Sequence, residues 1–332
     1  LHDRRKMSHV PDRMIASPSF PVLDPHTVHV WFCELSRHAE CQTSFAAELS
    51  DEERARAARF AFERDRQRFI LSHGVLRRVL SRYTHINAQD IHFATGEHGK
   101  PALSGPSGAA ADVRFSLSHS GEYALLVVAR DREVGVDVEV RKANLECLKL
   151  AERFFAPAET RAMAALHGDA QQRLFYRFWT AKEAYLKGRG VGLSFGLERF
   201  EMLFERESSA ARVRLADSGI IDQTWQIQSL SLPDDLAGAV AVAGGEAVGV
   251  WGVLIGGLPP GTINAPRPLS VTTSNAPTEG MAPLPLRLPP PAPAVRPRPA
   301  PRMIGTHQCR RVTKCFTCPK PRGAVTRRLP VT

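Results

Sequence analysis

Valines at 134, 136, 138 and 140 alternate with Gly135, Asp137, Glu139 and Arg141. This period of two predicts a half-buried strand, with the valines entering a core and the carboxylates on the opposite face. Val113, Phe115 and Leu117 alternate with Arg114, Ser116 and Ser118, predicting a second strand that runs into His119 and a Ser-Gly turn. Tyr123 to Ala129 is continuously apolar, as in a strand buried on both faces. Joined to Val134 through Asp131-Arg132, it predicts a hairpin with the valine strand. Val28 to Leu35 is rich in β-branched and aromatic residues and reads as a further strand. Short strands are also predicted at 199–204, 211–215, 225–230 and 236–243.

The period lengthens elsewhere. Ser50-Asp51-Glu52-Glu53 has the form of a capping box and opens a long helical region to about Arg82. Leu71, Val75 and Val79, with Leu76 and Leu80, form its core stripe. Arg54, Arg56, Arg59, Arg64, Arg66 and Arg68 form a solvated face, from which one or two could meet a phosphate. Helices are predicted from Asn144 to about Phe155 and from Pro157 to near Gly168. A third, capped by Asp169, carries Trp179 through Lys187 and is ended by Gly188, Gly190 and Gly192. Gly96, Gly99 and Pro101 make a turn with Lys100 at its tip.

Strand, long helices and then several strands occur twice, which predicts an α+β fold of two similar α/β lobes with a seam near residue 130. The expected divisions are a loose arm at 1–27, lobes at 28–130 and 131–258, and a disordered tail at 259–332. Composition supports the last boundary: 17 of the 25 prolines lie beyond residue 258. Charge supports it too. Twelve of the basic residues but only one acid, Glu279, lie in the tail, so residues 1–258 are close to neutral although the whole chain carries +10. Nucleic acid is therefore not read as a partner of the folded part. His307, Cys309, Cys315 and Cys318 have the ingredients of a zinc site, but a read-through or frameshifted end accounts for the same residues. Cys33, Cys41 and Cys147 show no disulfide framework, and no apolar run has the length of a membrane span. A cytoplasmic, monomeric protein is expected, its true start at Met7 or Met14.

Asp137 and Glu139 repel unless they are solvated, paired with cations or bound to a hard metal. An exposed strand face in water fits the pattern, and so does a metal site. Glu183 and Lys187, spaced i,i+4 on a helix, fit a simple salt bridge. Together with Asp137 and Glu139, Glu183 would instead complete a three-carboxylate site for Mg²⁺. Lys187, Lys100 and His119 would then face phosphate.

Five stretches in order carry a resemblance: Gly99-Lys100-Pro101, Phe115 to Gly121, Gly135 to Glu139, Arg153-Phe154-Phe155, and Trp179 to Lys187. They resemble the 4′-phosphopantetheinyl transferases of the larger, monomeric, two-lobed type that activates peptide and polyketide synthetases. The likeness covers roughly residues 28–243 and implies a pseudo-twofold pair of lobes with the coenzyme A and Mg²⁺ site in the cleft between them. It implies transfer of phosphopantetheine from coenzyme A to a serine of an apo acyl or peptidyl carrier protein, with release of 3′,5′-ADP. By that resemblance Asp137, Glu139 and Glu183 match the ligands of Mg²⁺, with Mn²⁺ as an alternative. Glu183, directly or through a metal-bound water, matches the base, and Lys187 the residue on the pyrophosphate. Lys100, Pro101, Ser118 and His119 match the coenzyme A pocket beside Gly99, with His119 near the 3′-phosphate. Arg56 falls where a basic residue reaches that phosphate. A non-catalytic module of the same fold that binds coenzyme A or a carrier protein is the rival reading.

Overall fold

The computed structural model describes residues 22–105, 112–205, 208–244 and 249–255, with 251–255 described by backbone alone. The predicted tail, its His and Cys residues, and most of the predicted N-terminal arm lie outside the described residues.

The chain opens with β1 (Thr27–Glu34), a 3₁₀ segment (Leu35–Cys41), and helices α1 (Gln42–Glu48), α2 (Asp51–Ala58) and α3 (Glu63–Thr84). The capping box at Ser50 and Glu53 starts α2, with both of its reciprocal hydrogen bonds present. The helical region expected from Ser50 to about Arg82 consists of two helices, separated between Ala58 and Glu63, because Phe62 is extended and serves as the N-cap of α3. A left-handed His85 (φ 57°) ends α3. Strands β2 (His92–Thr95) and β3 (Pro101–Ser104) form a small hairpin, and β4 (Val113–Ser120) and β5 (Tyr123–Arg130) a larger one.

Then come β6 (Val134–Val140), α4 (Cys147–Phe154), α5 (Pro157–Ala164) and α6 (Gly168–Arg189). His167 is the N-cap of α6, so Asp169 sits inside its first turn rather than capping it. Gly190, left-handed at φ 67°, ends α6. Strands β7 (Phe200–Phe204), β8 (Ala210–Leu215), β9 (Ile221–Ser229), β10 (Leu236–Ala243) and β11 (Gly249–Ile255) complete the described elements.

One sheet has the order β11-β1-β5-β4 and another β6-β10-β9-β8-β7. Both are antiparallel except where β11 returns to lie parallel to β1. The expected hairpin between 123–129 and 134–140 does not form. Both edges of β5 are taken by β1 and β4, and β6 pairs with β10. Left-handed Asp131 (φ 53°) redirects the chain from one sheet to the other.

Three apolar layers follow from strand alternation. Trp31, Phe115, Leu117 and Leu126 turn towards α3. Val30, Leu125 and Val127 turn the other way and meet Val134, Val136 and Val138 of β6 between the sheets. Ala239 and Ala241 of β10 pack with Trp179, Ala181, Ala184 and Tyr185 of α6. The α+β class and two α/β regions are thus present in the described residues.

Candidate active site

The valine face of β6 enters the core between the sheets, as its period predicts. The opposite face is not an exposed surface in water. Asp137 is buried and Glu139 half-buried, because α6 covers this side of the strand. Gly135 allows the approach: a Cβ there would lie 2.0 Å from the Ala184 carbonyl oxygen and 2.3 Å from the Gly188 nitrogen. Helix α6 therefore rests on the backbone of β6 at Ala184 and Gly188, the residues that directly follow Glu183 and Lys187.

Lys187 Nζ donates to Asp137 Oδ1 at 2.6 Å and to Ser118 Oγ at 2.9 Å. Ser118 Oγ in turn donates to Asp137 Oδ1 at 2.9 Å. On the next outward turn of the pleat, Ser120 Oγ donates to Glu139 Oε2 at 2.7 Å. Asp137, Ser118 and Lys187 thus come from three elements, β6, β4 and α6, to one point. The ammonium offsets the cost of burying the Asp137 carboxylate on one side only. Asp137 Oδ2 is buried with no hydrogen-bond partner.

The electrostatics record the crowding of acids. Burial, outweighing the pull of Lys187, raises the Asp137 carboxyl above its usual range. Burial and the neighbouring Asp137 push Glu139 up to about 7. Burial, then Asp137 and Glu139, push Glu183 up to about 8 despite Lys187. Among the described residues, no three His, Cys, Asp or Glu side chains are already gathered to hold a metal ion. Asp137 Oδ1 is committed to Lys187 and Ser118, and Glu139 Oε2 to Ser120. The donor set still fits a hard divalent cation. It consists of carboxylate oxygens that repel one another, and it includes a buried acceptor, Asp137 Oδ2, with nothing to accept from.

A cationic group lies beside these acids. Burial, then the neighbouring His73 and the positive charges of Lys187, Arg56 and Arg68, push the half-buried His119 down to about 4. The Arg56 guanidinium lies 5.2 Å from the centroid of the Phe69 ring, and His73 stacks on the same ring at 4.0 Å. Buried Glu53 accepts from His73 Nδ1 and Arg77 Nε, each at 2.7 Å, fixing α2 against α3 behind this group.

Lys100 is placed differently from the expectation of an ammonium offered to phosphate. Its Nζ donates to Glu133 and, at 2.6 Å, to the Gly188 carbonyl at the C-terminal end of α6. Left-handed Gly99 (φ 90°) forms the turn before it, and Pro101 opens β3. The turn therefore packs over the end of α6, with the Lys100 side chain 3.2 Å from where a Cβ of Gly190 would stand.

Sequence reasoning missed Ser120, His73 and Glu133, and named Arg68 only as one of six arginines on a helix face. Ser120 had a signal, since Ser116, Ser118 and Ser120 share one face of a predicted strand. His73 and Glu133 lie far along the chain from their partners and carried none.

Comparison with known proteins follows the same division of the chain. A family model described as the 4′-phosphopantetheinyl transferase superfamily matches residues 133–241. One described as 4′-phosphopantetheinyl transferase, N-terminal, matches residues 37–131. The chain is 36% identical over 217 residues to the 4′-phosphopantetheinyl transferase HetI of Nostoc, covering 65% of this chain and 88% of that protein. It is 33% identical over 175 residues to the 4′-phosphopantetheinyl transferase Sfp of Bacillus subtilis, covering 52% and 74% respectively. To the L-aminoadipate-semialdehyde dehydrogenase-phosphopantetheinyl transferase of Xenopus laevis it is 31% identical over 214 residues, covering 60% and 68%.

Proposed function

The chain belongs to the 4′-phosphopantetheinyl transferase superfamily, and from that membership we propose how its residues carry out the transfer. Phosphopantetheinyl transferase activity is that of the family. The finer reading is that coenzyme A donates its phosphopantetheine arm to the serine of an apo acyl or peptidyl carrier protein. The serine oxygen forms a bond to the phosphorus that bears the pantetheine. The bridging P–O bond breaks, the serine proton passes to a base, and 3′,5′-ADP leaves.

The observation that carries this reading is the meeting of Lys187, Ser118 and Asp137 beside an unpartnered Asp137 Oδ2. Asp137, Glu139 and Glu183 would hold Mg²⁺, or Mn²⁺ in its place. Bound there, the cation supplies charge neutralisation for the pyrophosphate and favours the ionised carboxylates. Lys187 keeps an ammonium at the same point, where it stabilises charge on the leaving phosphate. Glu183 Oε accepts the serine proton, directly or through a water. With the cation bound the Glu183 carboxylate would be ionised, the form able to take up a proton.

His119 and Arg56 receive the 3′-phosphate, a reading supported by the positive charges that converge there. Gly99 and Pro101 shape the pocket wall. Lys100 acts from its place on Gly188, as a strut joining that wall to α6. Ser118 contributes to the pocket through Lys187 and Asp137.

We assign the lobes to 28–130 and 131–258, with β11 crossing back to complete the sheet of the first lobe beside β1; a pseudo-twofold axis relates them, and coenzyme A lies in the cleft between. The equal lengths of α3 and α6, 22 residues each, support that relation. No described helix is long and apolar enough to cross a membrane. A cytoplasmic monomer is the assembly proposed, consistent with free thiols at the buried Cys33 and Cys147.

The test is the intact mass of apo carrier proteins after incubation with this chain, coenzyme A and Mg²⁺, with and without EDTA. A gain of one phosphopantetheine that is lost with EDTA supports the reading. No gain on fatty-acid, polyketide or peptide carrier proteins from folded enzyme would replace it with a non-catalytic binding module.

A further inference from the structure

β4 and β6 lie side by side without pairing through their backbones. Three hydroxyls make the connection instead. Ser116 Oγ accepts from Val136 N at 3.3 Å, Ser118 Oγ from Val138 N at 3.4 Å, and Ser120 Oγ from Val140 N at 3.1 Å. The sequence offset is the same each time, so the strands run in parallel register. β6 is the edge of its sheet, and its outward N–H groups would otherwise lack acceptors in a buried setting.

Two of the three hydroxyls do more. The residue preceding each bridged N–H is Gly135, Asp137 or Glu139 in turn. Ser116 meets the glycine and has no carboxylate to hold. Ser118 donates to Asp137, and Ser120 donates to Glu139 Oε2 at 2.7 Å. A hydroxyl has one proton and two acceptor positions. At Ser120 the Val140 N–H occupies an acceptor position and the proton goes to Glu139, so the rotor is fixed from both sides. Glutamate otherwise loses appreciable rotamer freedom when it is ordered.

We infer that Ser120 is a positioning residue for the transfer: anchored on the Val140 N–H, it holds the Glu139 carboxylate in place for the divalent cation. This rests on the reading of Glu139 as a ligand. Ser116 is the built-in control, because it bridges the same two strands and touches no carboxylate.

The experiment is direct Mn²⁺ binding, read by electron paramagnetic resonance of the free ion, on full-length wild type, S120A, S120T, S116A and E139Q. Thermal unfolding without metal is measured in parallel. We expect S120A to bind Mn²⁺ roughly tenfold more weakly, as loss of a partner behind a ligand does. S120T, which keeps the hydroxyl, should recover most of the binding. S116A should bind like wild type while losing as much thermal stability as S120A. Wild-type binding by S120A, or equal weakening in S116A, would overturn the inference while leaving the ligand assignment intact if E139Q still weakens binding. Wild-type binding by E139Q would overturn both.

Discussion

The Lys187 ammonium lies 2.6 Å from Asp137 Oδ1, so a cation bonded to this buried carboxylate comes from a helix 50 residues further along the chain. Neither group is in bulk water, and each is placed by the contact of α6 with β6. Removing Lys187 therefore takes away both a charge partner of Asp137 and the ammonium proposed to meet the leaving phosphate. K187M is expected to lower kcat for carrier modification by about a hundredfold or more. The time course of carrier mass under saturating coenzyme A measures this, and a loss below about threefold would remove Lys187 from the chemistry.

The acids predict an unusual pH dependence for the metal-free protein. Glu183 and Glu139, at about 8 and about 7, both lie above the ordinary glutamate value of 4.5. Folded protein thus holds more protons than unfolded chain between these limits, and stability falls as pH rises through them. The melting temperature in EDTA should decrease from pH 5 to pH 8.5. E183Q should flatten that slope, and Mg²⁺ should raise the melting temperature most at the alkaline end. A flat profile for wild type in EDTA would contradict the crowding of charge.

Gly135 tests the seat of α6. The Cβ introduced by G135A would collide with backbone atoms of Ala184 and Gly188, which cannot rotate away. A loss of about 1–3 kcal/mol is expected. Urea unfolding measures it, and transfer activity should fall by more than the unfolded fraction explains because Glu183 and Lys187 move with the helix. Wild-type stability and activity would show that the contact relaxes freely.

Lys182, adjacent to Glu183, faces the other way. Its fully buried Nζ lies 2.8 Å from Glu159 Oε2 and donates to the carbonyls of Leu197, at 2.8 Å, and Phe200. Glu159 also accepts from the backbone N–H groups of Met202 and Ala156. K182M should cost roughly 3–5 kcal/mol, since it strands a buried carboxylate and two carbonyls. Differential denaturant unfolding checks it; a change under about 1 kcal/mol would mean that water replaces the ammonium.

Much of this was legible in the sequence where the signal is local. The alternation at 134–140, the capping box at Ser50 and the glycine end of α6 each depend on residues within one or two turns. The break inside the helical region at 50–82 is local as well, at the extended Phe62, but no periodicity marks it. The hairpin expected between β5 and β6 failed for a non-local reason. Closeness in sequence favours pairing, but β1, from a hundred residues earlier, took that edge of β5.

The sequence by itself determined which residues could do the chemistry: two carboxylates on one strand face, and a Glu and a Lys one helical turn apart. Side-chain period and residue type are properties of the local chain, so they survive without a fold. Tertiary structure alone decided the partners. It covered Asp137 with α6 rather than water, gave it Lys187, committed Lys100 to Glu133 and Gly188, and set the serines of β4 against the open N–H groups of β6. Those choices depend on which buried polar groups must find one another once water is excluded, and that is settled only when all the layers pack.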